Sequence, residues 1–407
     1  MTGTKMRPFT KTIPVDEART IIASTIRPLG RTTRVTLSSA FGRVLSSDVV
    51  AHVDVPPFSR AGMDGYAVRA HDTAGATRTA SRTLTCLGQV FTGDAGAAAI
   101  GDGECLEIAT GAPMPPGADA VIMVEETLRT GDAVQLFSEV KSSQNVGRQG
   151  ADIARGHTVL RDGDVLTPSR VGALAALGLA SVDVYDQPRV TILSTGNEIV
   201  DPGHDLQPGQ IYDINRFTLA ALVIDNGGVA VVRRTARDTI EDLERAVDDA
   251  RADDLILFSG GSSVGERDLI MDVMRARGDV KFHGLAIKPG KPTAFGLLAG
   301  VPFFGLPGYP TSCLSNAYLL VAPALRTLAH LPPRTTRTVT LSLGRRIVSG
   351  AGRHQFYSVR IEGDRVMPAF KSSGDITSLS QADGYIEIPA DVDTVEEGTS
   401  VEVTLFL

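Results

Sequence analysis

Much of what this chain lacks narrows its function. Three cysteines, Cys86, Cys105 and Cys313, stand far apart among 407 residues, with no Cys-x-x-Cys pair. That count fits neither a disulfide framework nor a zinc ribbon, and points to reduced thiols in a cytoplasmic protein. No apolar run reaches the length of a membrane span; the stretch 171–180 is too short. The first residues, Met-Thr-Gly-Thr-Lys-Met-Arg-Pro, carry no apolar core of a leader, so none is expected. The formal net charge is -7, which argues against a nucleic-acid backbone as partner. None of the seven histidines forms a ligand pair such as His-Glu-x-x-His. Gly-x-Ser-x-Gly is missing, which disfavours a hydrolase elbow, and neither the P-loop nor the dinucleotide fingerprint is present.

What remains is an ordinary globular composition, 43% hydrophobic and 21% charged, in a chain long enough for two to four domains. Residues 15–29 have a helical period, with Ala18, Ile21, Ile22 and Ile26 on one face. Residues 70–150 are rich in Gly, Thr and Asp with short β-type runs, which predicts an all-β or barrel-like insertion. A Thr167-Pro168 start signal predicts a helix over 167–180. From Pro188 the pattern alternates. Strands are expected at 190–193, 229–232 and 255–258, and helices at 217–224, 238–251 and 269–277, the second with Ile240, Leu243 and Val247 inward. Continuously apolar strands between amphipathic helices predict a parallel, doubly wound α/β sheet. Residues 331–334 read as a linker, and 335–407 as a small β domain.

In such a sheet ligands bind beyond the carboxyl ends of the strands. Three Gly- and Ser/Thr-bearing loops leave such ends: 194–199, 259–268 and 305–312. In Ser259-Gly-Gly-Ser-Ser-Val-Gly-Glu-Arg-Asp268 the glycines can aim several N–H groups at one anion, Ser263 adds a hydroxyl, and Asp268 can hold a cation on a phosphate. A plain turn with Asp268 as helix cap explains the same residues. In Lys288-Pro-Gly-Lys-Pro292 two prolines stiffen a loop with two cations, which suits an oxyanion pocket, while two solvated surface lysines are the plainer alternative. Asp64, Glu198, Asp238 and Asp268 offer hard oxygen ligands for Mg²⁺. Asp238 can equally cap a helix with Glu241, and Asp64-Gly65 can be a turn.

Taken in order along the chain, a set of segments resembles the MoeA family of molybdopterin molybdenumtransferases, which includes the E domain of gephyrin. They are Pro57-Phe-Ser-Arg-Ala-Gly-Met-Asp-Gly-Tyr-Ala-Val68, Ile108-Ala-Thr-Gly-Ala-Pro113, Ala118-Asp-Ala-Val121, Asn145-Val-Gly-Arg-Gln-Gly-Ala-Asp152, Ser194-Thr-Gly-Asn-Glu198, the 259–268 loop, Lys288-Pro-Gly-Lys-Pro292, Leu306-Pro-Gly-Tyr-Pro310, Gly352-Arg-His-Gln-Phe356 and Ser372-Ser-Gly-Asp-Ile-Thr-Ser-Leu379. The resemblance implies an elongated multidomain chain. Residues 1–50 and 152–185 would form a linker and dimerisation region, 51–151 an inserted N-terminal β domain, 186–330 a MogA-like molybdopterin-binding α/β domain, and 331–407 a C-terminal small β-barrel-like domain. It implies a cytoplasmic homodimer, with a cleft between the α/β domain of one subunit and the β domains of the other, that inserts molybdate into adenylylated molybdopterin with Mg²⁺ and releases AMP. It allows transient contacts with molybdopterin adenylyltransferase and apo-molybdoenzymes.

The residue roles it implies are these. Asp64, Asp268, Lys288 and Lys291 would be catalytic. Thr110, Ser263, Pro292, Ser312, Arg353 and Ser373 would bind substrate. Glu198, Asp238 and Asp268 would hold the metal. Two positions depart from the pattern: Gly284 stands where some relatives carry a further lysine, and Tyr309 where Asn is frequent. Molybdenum and tungsten oxyanions are alike in shape, and the sequence does not separate them.

Overall fold

The computed structural model of the chain describes residues 12–94, 96, 98–196, 198–233, 239–260, 269–350 and 352–406. The chain divides into two compact units. The first takes in the residues up to Thr33, Gly42–Val44 and those from Val184 onward; the second comprises Arg34–Phe41 and Leu45–Asp183. No helix among the described residues is long and apolar enough to cross a membrane.

The second unit is built on a six-stranded mixed sheet, in spatial order Ala120–Met123, Gly65–Val68, Glu104–Ile108, Arg82–Val90, Ala133–Leu136 and Thr127–Thr130. Alternate side chains serve two cores, as the two-residue period of a strand requires. Tyr66, Val68, Ala120 and Ile122 enter one; Ala67, Leu106, Ile108 and Val121 enter the other. The predicted helix at 167–180 forms as α2 (Pro168–Ala176), where the Thr167 side chain accepts from the Arg170 N–H and proline takes the first turn. It stops four residues early, because Ser181–Tyr185 is a strand.

The first unit opens with helix α1, Val15–Thr25, whose Val15, Ala18 and Ile22 join a core shared with the α/β sheet. That sheet has six strands in the order Val229–Val232, Arg189–Thr195, Leu255–Gly260, Val301–Leu306, Ala294–Leu298 and Gly278–His283. Both faces are covered. Leu255 and Leu257 pack toward helix α3 (Asn215–Asp225) and the helical segment from Pro310 to Leu328; Ile256 and Phe258 pack toward α4 (Ile240–Ala250) and α5 (Leu269–Arg277). This two-sided burial is why the central strand runs apolar from Leu255 through Phe258 without alternation.

Two expectations are corrected. The sheet is not wholly parallel: Ala294–Leu298 runs antiparallel to both its neighbours. Its link to Val301–Leu306 is the pair Ala299-Gly300, at φ 50° and 88°, a tight hairpin turn of the I′ kind that reverses the chain. In α4, Leu243 and Val247 face the core as expected, but Ile240 is 45% exposed. It is the first helical residue, and helical side chains lean toward the N-terminus, past the end of the packed surface.

The C-terminal strands close on themselves. His354–Glu362 pairs with Arg365–Pro368 and with Gly384–Ile388; Thr338–Leu343 pairs with Arg365–Pro368 and Ser400–Leu405; and the last joins Gly384–Ile388. The result is a five-stranded barrel without a free edge, filled by Leu343, Val359, Val366, Ile386 and Val403.

Candidate active site

The carboxyl ends of three sheet strands lie in register. Ser194 and Thr195 pair with Ser259 and Gly260, and Ser259 pairs with Leu306. The backbones leaving these ends nearly touch. Gly260 sits at φ 121°, and a Cβ there would stand 2.2 Å from the Thr195 carbonyl oxygen, so only glycine fits at the root of the Gly-rich loop. Asn215, at the start of α3, ties the ends together: its Nδ2 donates to Ser259 Oγ (2.7 Å) and to the Gly308 carbonyl (2.8 Å). Ser194 Oγ, Thr195 Oγ1 and Asn215 Oδ1 are buried there with no hydrogen-bond partner among the described residues.

Next to Asn215, Asp213 and Arg216 are both buried. The Arg216 N–H donates to Asp213 Oδ1 (3.0 Å), and its guanidinium pairs with Asp213 (3.4 Å) and with Asp201. Glu198 is exposed. Its backbone is fixed by the Ile211 N–H donating to its carbonyl (2.9 Å), beside the short parallel pair Ile199–Val200 and Ile211–Tyr212.

The lysine loop reaches this edge from the side. Pro292 closes a small cavity together with Phe258, Gly260, Met271, His283 and Leu306. His283 has its pKa lowered by burial and by the nearby Arg275, which keeps it neutral at pH 7. Lys288 and Lys291 are half-buried. Ile287 and Lys288 add a short parallel strand to the barrel, opposite His354 and Gln355, and the His354 N–H donates to the Ala286 carbonyl (2.8 Å). This pairing brings exposed Arg353 to the lysine loop. A second junction lies at the start of helix α6 (Pro310–Asn316): the Thr311 N–H donates to the Ser373 carbonyl (3.1 Å), and Thr311 Oγ1 to the Asp375 carbonyl (2.8 Å). Ser312, buried, is the next residue.

Six of the predicted residues, Lys288, Lys291, Pro292, Ser312, Arg353 and Ser373, are thus carried by two paired junctions between the α/β sheet and the barrel. Asp238, Ser263 and Asp268 lie outside the described residues. Asp64 and Thr110 belong to the second unit, where they meet each other: Asp64 Oδ1 accepts from the Thr110 N–H (2.7 Å) and hydroxyl (2.9 Å), which hold its carboxyl below the usual carboxylate range. Sequence reasoning passed over Asp213, Asn215, Arg216, His283 and Asn316. The polar run before α3, Asp213-Ile-Asn-Arg216, is a signal that could have found the first three.

Comparison with known proteins accounts for nearly the whole chain. Residues 13–178 match the MoeA N-terminal region (domains I and II), 191–327 a probable molybdopterin-binding domain, and 340–406 the MoeA C-terminal region (domain IV). The chain belongs to the MoeA family of molybdopterin molybdenumtransferases. Molybdopterin molybdenumtransferase 2 of Mycobacterium tuberculosis is 36% identical, with 96% of this chain and 98% of that protein covered. The Haemophilus influenzae molybdopterin molybdenumtransferase is 35% identical over 92% and 96% of the two chains. A crystal structure of the molybdopterin biosynthesis MoeA protein from Pyrococcus horikoshii superposes with a TM-score of 0.85 at 40% identity, covering 98% of this chain and all of that one. Membership of the MoeA family makes the protein a transferase of molybdenum cofactor biosynthesis, and its closed barrel and mixed α/β sheet are those of the MoeA fold.

Proposed function

We propose that the protein inserts molybdate into adenylylated molybdopterin, with release of AMP. The observation that carries this reading is the pairing of Lys288 with the barrel strand behind Arg353, next to a cavity that Pro292 shares with the strand ends. Lysine and arginine are the groups that hold a small dianion without reducing it, and the guanidinium fork suits a tetrahedral oxyanion. In the reaction two Mo–S bonds form as the two thiol protons carry one oxo ligand away as water, and a second water cuts the pyrophosphate bond so that AMP departs.

On this reading Lys288, Lys291, Pro292, Arg353 and Ser373 hold molybdate, and Ser263 holds the adenylylated pterin with Ser312 beside it. Asp64, kept ionised by Thr110, and Thr110 itself serve the same reaction. Catalysis is by positioning and charge, with no covalent enzyme intermediate. The exposed Glu198 carboxylate beside the carboxyl ends of the sheet is a hard oxygen ligand of the kind Mg²⁺ takes. We assign it to that ion together with Asp238 and Asp268; the ion would polarise the phosphate.

The reading extends to a homodimer in the cytoplasm. Phe217 and Ile224 of α3 and Val229 and Val232 of the adjoining edge strand are exposed apolar side chains that a second copy would cover.

The test is AMP release from adenylylated molybdopterin and Mg²⁺, with and without molybdate. Release that depends on molybdate, and falls about a hundredfold in Asp268→Ala, is the expected result. Pterin binding without AMP release under any oxyanion would overturn the proposal.

A further inference from the structure

Two residues, Pro289 and Gly290, separate the two lysines, so their Nζ atoms can share one oxyanion only if the loop between them is held in a single shape. The structure shows what holds it. Asn316, fully buried at the end of α6, donates from Nδ2 to the Gly290 carbonyl (2.8 Å) and to Thr293 Oγ1 (2.6 Å). Thr293, also fully buried, closes the triangle by donating from Oγ1 to the same Gly290 carbonyl (2.9 Å). Both amide hydrogens and the hydroxyl hydrogen are used.

The backbone is matched to this clamp. Gly290 has φ 103°, and a Cβ there would stand 2.2 Å from Asn316 Nδ2. The Lys291 carbonyl accepts from the N–H groups of Leu285 (2.8 Å) and Thr293 (2.9 Å), so the loop is pinned on both sides of the second lysine. Helix α6 departs from regular α geometry immediately after Asn316: Ala317–Val321 is a π-type turn, a distortion that often marks a functional position. At its other end the same helix carries Ser312 and receives the Ser373 loop through Thr311.

We infer that Asn316, with Thr293, is a positioning residue for molybdate: it sets the Lys288-Pro-Gly-Lys291 loop in the shape in which both ammonium groups face one oxyanion. This inference rests on the reading of Lys288 and Lys291 as the molybdate site. Asn316 is the last residue of α6, six positions after Pro310, and it touches the Gly290 carbonyl and the Thr293 hydroxyl of the loop rather than the anion. Its loss leaves the two cations in place but lets the loop adopt other shapes, so affinity for the anion falls while the step after binding proceeds. A buried amide needs partners for its polar atoms, and Asn316 Oδ1 has none by hydrogen bond among the described residues. The clamp on Gly290 and Thr293 supplies the partners of its nitrogen.

The experiment measures apparent KM for molybdate, KM for adenylylated molybdopterin and kcat in molybdate-dependent AMP release by the full-length chain. The variants are Asn316→Ala, Thr293→Val and Lys288→Ala. Thr293→Val keeps the shape of the buried side chain while removing both of its hydrogen bonds, so it reports on the clamp even where Asn316→Ala loses stability. The expected result is a molybdate KM raised about five- to tenfold in Asn316→Ala and in Thr293→Val, with the pterin KM and kcat within about twofold of the parent. A merely structural role would lower the active fraction, and so kcat, without moving KM for molybdate. A molybdate KM that rises in Lys288→Ala but stays at the parent value in both clamp variants overturns the inference alone. A molybdate KM unchanged in Lys288→Ala overturns the oxyanion reading beneath it.

Discussion

At the scale of single residues, Asp64 is a charge rather than a proton donor. Two donors from Thr110 converge on one carboxylate oxygen and hold the pKa below the ordinary range, the backbone N–H contributing more than the hydroxyl. A carboxylate depressed in the folded state favours that state at neutral pH, and this contribution fades only as pH falls below the usual carboxylate range, near 4, through the lowered value. Thr110→Val removes the hydroxyl and keeps the N–H. The Asp64 carboxyl then titrates higher, part of the way back to its ordinary value, which a carboxyl-carbon NMR titration reads directly. A titration curve identical to the parent's would show that the hydroxyl contributes nothing. The two departures from the family pattern also resolve at this scale. Gly284 has φ 110° and is buried, with its N–H given to the Thr293 carbonyl (2.8 Å), so its backbone conformation is one that a lysine would adopt only under strain. Tyr309 is 66% exposed and its ring lies against the Gly374 backbone of the Ser373 loop.

At the scale of elements, the cap of α4 separates two roles that the sequence left open for Asp238. Thr239 is the N-cap, and its hydroxyl accepts from the Asp242 N–H (3.3 Å), with Glu241 and Asp242 in the first turn complementing the helix dipole. Thr239→Ala should therefore cost about 1 kcal/mol in a urea titration. Asp238→Ala should leave stability within about 0.5 kcal/mol of the parent and lower Mg²⁺-dependent activity instead. A stability loss in Asp238→Ala equal to that in Thr239→Ala, with activity intact, would return Asp238 to the helix end. Elements were legible where periodicity was strong: α5 spans 269–277 as read, and the strands at 190–193, 229–232 and 255–258 all form, the first and last buried and 229–232 partly exposed at the sheet edge. The antiparallel strand at 294–298 was not, because its signal was a two-residue Ala-Gly turn inside an apolar run. The lysine loop, Arg353 and Ser373 stood out in the sequence because their side chains are charged or hydroxylic in stiff, turn-forming contexts, and the structure carries them on the two junctions of sheet and barrel. Asn215 and Asn316 did not. Each acts on groups distant in sequence, and a single buried amide carries no periodic mark of what it will meet.

At the scale of the whole molecule, the chain holds separate hydrophobic cores. The α/β sheet and α1 share one large cluster that also takes in Phe356 and Leu379 from the C-terminal region, whereas the clusters around Tyr66 and around Ala67 draw only on the second unit. Cooperativity follows shared packing, and each of these clusters draws on one unit, so the two units are expected to unfold as separate transitions. Two fully buried side chains mark the units: Ile122 in the second and Leu257 in the first. Truncating either to alanine leaves a cavity and costs about 2–5 kcal/mol within its own core. Scanning calorimetry of the full chain should show two transitions. Ile122→Ala should move one of them down by several degrees, about 2–4 °C per kcal/mol for a unit of this size, and leave the other in place; Leu257→Ala should do the reverse. If both substitutions move one common transition, the two units fold as a single cooperative block, and the barrel and sheet that carry the lysine loop owe their stability in part to the N-terminal β domain.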